Sequence, residues 1–207
     1  MGKEEKIAKG DEHRAKGDYE KAIECYTEAG ALEKILACID EMKGDALKKA
    51  GAIEEAVRYY EACGAIDKLL DCLEDLRYLG KDEPLIKKIA EMDKEKLKEF
   101  GKKSQDIKLS LKCLYYAGDE EGLKEIEGRD IWKAIDFYKY VGYQEGIDRI
   151  IPLIRDELIK KYPEIGQATI DYLLDLYLRG ELREIYSVIF QLKHLKKKGS
   201  FYQYGVS

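Results

Sequence analysis

Asparagine is absent from these 207 residues, and glutamine occurs only five times. Proline occurs three times, histidine twice and tryptophan once. These scarcities exclude whole classes of chemistry. His13 and His194 are the only imidazoles, and no two of Cys25, Cys38, Cys63, Cys72 and Cys113 are spaced CxxC, so no zinc constellation can be read. Five cysteines cannot form a complete intrachain disulfide set, and buried free thiols acting as small apolar side chains are expected. No run of 18 residues is apolar, so no membrane span is expected. The opening MGKEEKIAKGDEHR is charged and lacks an apolar core, unlike a secretory leader. Gly2 follows Met1, but Lys6 occupies the position where myristoylation wants Ser or Thr. A soluble cytoplasmic protein is expected.

Charge is what the chain has in quantity, with 37 basic and 42 acidic residues. Its 45% hydrophobic content is too high for a disordered chain. Many Lys and Glu with few amides is the composition of proteins from hot environments.

The pattern beneath this composition is a repeat. GDYEKAIECYTEAGALEKILACIDEM (17–42) aligns without a gap on GAIEEAVRYYEACGAIDKLLDCLEDL (51–76), an offset of 34 throughout. A third copy is DIWKAIDFYKYVGYQEGIDRII (130–151), and a fourth, SLKCLYYAGDEEGLKEI (110–126), keeps Cys113, Ala117 and Gly118. A last, weaker copy spans 172–189. In the first copy Tyr19, Ala22, Ile23, Tyr26 and Ala29 form one helical face. Gly30 ends that helix, and Leu32, Ile35, Leu36 and Ile39 begin a second apolar face. Tyr26, Tyr60 and Tyr138 recur at the packing position, which predicts core. Tyr59, Tyr115, Tyr116, Tyr140 and Tyr143 are freer candidates for a groove. One helical hairpin cannot bury both its faces, so hairpins must stack.

Gly17-Asp18-Tyr19, Ala22, Tyr26 and Ala29 at this period resemble the second half of a tetratricopeptide (TPR) repeat. The departures are Lys34 and Lys68 where that family usually has proline, and the missing Trp-Leu-Gly signature of the first helix. The resemblance implies an all-α protein of TPR-like stacked helical hairpins forming a short right-handed α-solenoid. It also implies a groove that takes peptides or helices. The expected organisation is N-terminal repeats over 1–80 and an irregular helical insertion with little apolar face over 81–104. C-terminal repeats and a capping helix follow over 105–198, then an aromatic tail over 199–207. Pro84 suits a first helical position, and Pro152 and Pro163 should each start or kink a helix. A final helix is expected over 181–197.

No GxxxxGK[ST], GxSxG, HExxH or GxGxxG motif occurs, and the acid pairs are too numerous to single one out. No enzyme, cofactor or metal is expected. Residues 1–192 carry 33 basic and 42 acidic residues, whereas 193–207 carry four lysines and no acid. Lys193, Lys196, Lys197 and Lys198, followed by Phe201, Tyr202 and Tyr204, join counterion release on phosphate to base stacking, so RNA is the expected contact. The plainer alternative is that these lysines complement the final helix dipole and the end frays. Leu182, Ile185, Tyr186, Ile189 and Leu192 form a stripe that either caps the stack or pairs two copies. As a small, acidic, TPR-like chain the sequence is similar to archaeal ribosome-associated factors that dimerise or silence small subunits. That similarity implies an adaptor docking on ribosomal proteins and ribosomal RNA as a dimerising or translation-silencing factor, the homodimer among its expected forms. The alternative is a pure protein–protein scaffold with no RNA contact.

Overall fold

The computed structural model describes residues 2–197, the last three by backbone alone. Every regular element among them is helical. The helices are α1 (Lys3–Ala15), α2 (Tyr19–Ala29), α3 (Leu32–Lys49), α4 (Ile53–Cys63), α5 (Ile66–Tyr78), α6 (Asp82–Met92) and α7 (Lys94–Lys103). They continue with α8 (Ile107–Ala117), α9 (Glu120–Glu127), α10 (Ile131–Val141), α11 (Gln144–Lys161), α12 (Gln167–Leu178) and α13 (Ile185–Lys197). The chain divides into two compact units, 1–123 and 124–207, and the division falls within α9.

In the first unit the 34-residue repeat is visible atom by atom. Helices α2 and α4 both end on a glycine, Gly30 and Gly64, each at φ 66°. Only glycine adopts that left-handed conformation without cost, and it lets the next helix start after a single further residue. Tyr26 and Tyr60 are fully buried, as their spacing predicts. The most extensive helix packing lies within α1/α2 and α3/α4, one helix earlier than the hairpin suggested by the sequence. Gly10 on α1 faces the ring of Tyr26, and Gly44 on α3 faces that of Tyr60; a Cβ on either glycine would stand 2.5 Å from a ring carbon. The lack of a side chain there lets the tyrosine ring pack closely on the helix, in space that any larger residue would need.

Around Tyr26 the core is small, with Ala22 and Cys38. Around Tyr60 it is large: Leu69, Leu73 and Leu76 of α5, Leu85, Ile86 and Ile89 of α6, Leu97 of α7 and Cys113 of α8 belong to one cluster. This corrects the reading of 81–104. That segment leaves the period, yet it forms two regular helices, α6 and α7, with a buried apolar face. The face is short in sequence, and only packing reveals that Leu85, Ile86, Ile89 and Leu97 converge. Pro84 sits third in α6, not first; its missing N–H still falls among the free donors of the first turn. Asp93 and Asp106 cap α7 and α8, their carboxylates accepting from the amides of Lys96 (3.0 Å) and Leu109 (2.7 Å).

The second unit packs α10 on α11, α11 on α12 and α12 on α13. Tyr138 is again fully buried. Pro152 lies inside α11 instead of opening a helix, and Pro163 lies in the α11–α12 connection. The last helix begins at Ile185, four residues later than expected.

Candidate functional site

Each buried tyrosine of the first unit ends in a carboxylate. Tyr26 donates to Asp11 at 2.7 Å, and Tyr60 donates to Asp45 at 2.7 Å, one repeat later. Lys34 pairs with Asp11 at 2.6 Å, and Lys68 with Asp45 at 2.9 Å, again one repeat apart. Arg14 pairs with Glu41 at 2.6 Å, and the equivalent Lys48 pairs with Asp75 at 3.8 Å. The repeat therefore carries a polar ladder as well as an apolar face. Burial by itself would raise the carboxyl groups of Asp11 and Asp45. The hydrogen bonds they accept from lysine and tyrosine outweigh this and hold both below the usual carboxylate value. Tyr26 and Tyr60 move the other way, raised first by burial and then by donating to these carboxylates.

This ladder walls a cleft of about 400 Å³. Asp11, Arg14 and Ala15 of α1, Glu41 of α3, Cys63 at the end of α4, Gly64–Lys68 at the start of α5 and Lys96 of α7 line it. Among the lining residues Ala15, Cys63, Gly64 and Ala65 are small, which leaves room for another backbone. Its walls carry three acids and three bases, and each is already paired: Asp11 with Lys34, Arg14 with Glu41, Lys68 with Asp45, and Lys96 with Asp67 at 2.8 Å. Such a surface offers donors and acceptors to a main chain without a net field. Nothing in it resembles a nucleophile with a base. The Cys63 thiol is raised by burial, away from the reactive thiolate.

The sequence-predicted site residues are distributed elsewhere. Lys193 pairs with Glu164 at 3.0 Å and lies 5.7 Å from the Tyr162 ring. The side chains of Lys196 and Lys197, and all of Lys198, Phe201, Tyr202 and Tyr204, lie outside the described residues. On α13, Ile185 and Ile189 are buried within the chain, and Leu192 is half-buried. Leu182 is half-buried in the turn before that helix. Tyr186 donates to Glu157 at 3.0 Å, and burial followed by that bond pushes its phenol up to about 12. The inward side chains of this stripe, Ile185 and Ile189, are buried within the chain's own core. Tyr116 donates to Glu83 at 2.7 Å, and Tyr140 is 70% exposed.

The sequence reading overlooked Asp11 and Asp45. Their signal was present as Lys9-Gly10-Asp11 and Lys43-Gly44-Asp45, also 34 residues apart, just before the segment where the repeat was taken to begin.

A tetratricopeptide repeat family model matches residues 7–32, which span most of α1, all of α2 and the start of α3. No curated protein and no solved structure matches the chain. Helix pairing and the glycine–tyrosine contact give the described helices a TPR-like helical-repeat architecture, and residues 7–32 are similar to a tetratricopeptide repeat. No described helix is long and apolar enough to cross a membrane.

Proposed function

We propose that the protein is a non-catalytic adaptor whose first unit holds an extended segment of a partner protein in the cleft between α1, α3, α5 and α7. The observation that carries this reading is a cleft whose lining combines small residues with charges already neutralised in pairs. A free charge would select an opposite charge; a paired one still hydrogen-bonds a main chain, so the groove reads backbone and shape. Narrowing the cleft with Ala15→Trp should remove partner proteins captured by the tagged chain after nuclease treatment, while leaving helix content unchanged. Partners that survive that substitution, or that vanish on nuclease treatment alone, refute the cleft reading.

A second reading rests on the charge reversal at 193–207: the adaptor docks on a ribonucleoprotein, a ribosomal subunit being the example, with the basic aromatic end on RNA. Its salt dependence is the test, because each phosphate contact releases counterions. Deleting 196–207 should weaken co-sedimentation with ribosomal subunits most at low salt; unchanged sedimentation excludes the end from the contact.

A further inference from the structure

The two copies of the repeat in the first unit differ in one respect that packing explains. Helix α3 has 18 residues, and α5, its equivalent one repeat later, has 13. The chain after α5 thus turns back about 7.5 Å sooner at 1.5 Å per residue. Helices α6 and α7 then pack against α5, whose Leu70, Leu73 and Leu76 are 7%, 0% and 4% exposed. On α3 the partner helix α4 is set against the C-terminal half, where Tyr60 meets Gly44. The equivalent stripe on α3 is left open: Leu36 is 55% exposed, Met42 43%, and Leu32, ahead of them, 66%, with Ile39 half-covered between.

Charge repeats the contrast. Asp67 on α5 receives Lys96 of α7 at 2.8 Å. Its equivalent on α3, Glu33, is exposed and makes no ion pair among the described residues; neither does the nearby Asp40. The remaining charge along this stripe is Lys43, over the ring of Tyr59; Lys34 lies on the other side of α3, bound to Asp11.

We propose that the N-terminal half of α3 is a docking face for an amphipathic helix of a partner protein, one that does for the first repeat what α7 does for the second. That helix would lay an apolar stripe along Leu32, Leu36 and Ile39 and place a lysine or arginine against Glu33. The internal copy defines the occupant: an apolar face flanked by a basic residue, as in Lys96-Leu97. This extends the adaptor reading to a surface separate from the cleft, and it stands or falls on different substitutions.

The probe is a synthetic peptide of residues 82–103, labelled and titrated into the full-length chain by fluorescence anisotropy. Binding should weaken about tenfold or more on Leu36→Asp, because a carboxylate would be buried in an apolar contact. Leu36 is exposed, so circular dichroism should show the variant folded. Glu33→Lys should weaken the parent peptide and restore a peptide carrying Lys96→Glu. Absence of binding overturns the proposal, as does binding indifferent to Leu36→Asp, which is the mark of a peptide merely exchanging into its own place over α5. A concentration-dependent mass in sedimentation equilibrium that Leu36→Asp abolishes would assign the face to a second copy of the chain and overturn the partner helix. Cleft binding that responds to Ala15→Trp and not to Leu36→Asp would leave the adaptor reading intact while this one fails.

Discussion

Replacing Gly44 by alanine should destabilise the first unit, although alanine is the better helix former. In an exposed helix interior the change would stabilise by about 1 kcal/mol. Here the new Cβ would stand 2.5 Å and 2.8 Å from two ring carbons of Tyr60. Restoring a normal carbon–carbon separation of about 3.5 Å requires the ring to move by about 1 Å. The ring has no room, since Tyr60 is fully buried. Its far end is also fixed, by the 2.7 Å bond to Asp45. Overpacking of this kind costs about 1–3 kcal/mol, and stretching a hydrogen bond to a charged acceptor costs up to about 1.5–3 kcal/mol more. Set against the helix gain, the net loss is about 2 kcal/mol. Trp132 reports on the other unit, so native-state amide exchange in α3 and α4 is the appropriate measurement. A double-mutant cycle isolates the cause: in a Tyr60→Leu background the same Gly44→Ala change should be neutral or stabilising. An equal loss in both backgrounds, or no loss in the parent, refutes the ring contact as the reason for this glycine.

Three further outcomes follow from the polar ladder and the thiols. Asp11 and Asp45 have lowered native pKa values, so the stability they contribute is present at neutral pH and lost as pH falls through those values; an Asp11→Asn, Asp45→Asn variant should lose less stability between neutral pH and pH 3 than the parent, read by thermal melts. In the second unit, Glu127 is 4% exposed and accepts from Tyr138 at 2.6 Å and Arg149 at 3.0 Å; Glu127→Ala should cost about 3 kcal/mol by leaving both donors without their acceptor, and Trp132 fluorescence in urea should show it. Burial pushes the Cys113 thiol up to about 12. A thiol reagent at pH 8 should therefore modify half-buried Cys25 and Cys63 well before Cys113, which should react only on unfolding; mass-spectrometric mapping of the order decides this.

The helical hairpins, the buried tyrosines and the glycine joints were legible because they are local: a helical period and a left-handed residue act within about ten residues of chain. Segment 81–104 was not legible. Leu85, Ile86, Ile89 and Leu97 gain their meaning from α5, and a face that short cannot announce its partner in a linear pattern. The cleft was hidden for a related reason. Its walls are Asp11, Glu41, Asp67 and their partners, residues that look like ordinary surface charge until the fold pairs them across 23 to 29 positions. Gly10 and Gly44 were visible as a repeated Lys-Gly-Asp, but a helical glycine carries no sign in itself that a ring lies against it.

The repeat offers its own control for separating structure from function. Where both copies keep the same chemistry, as in Gly10/Gly44, Tyr26/Tyr60, Asp11/Asp45 and Lys34/Lys68, the residue is answering a demand of packing that arises twice. Where they differ, the demand differs. Tyr19 donates to Asp45, and its equivalent is Ile53, which packs against the larger core. Leu36 is open to solvent, and its equivalent Leu70 is closed under the helices that follow. An open stripe of that kind costs solubility and adds nothing to the fold. Its presence beside an unpaired Glu33 is the difference between the copies on which the docking proposal for α3 rests.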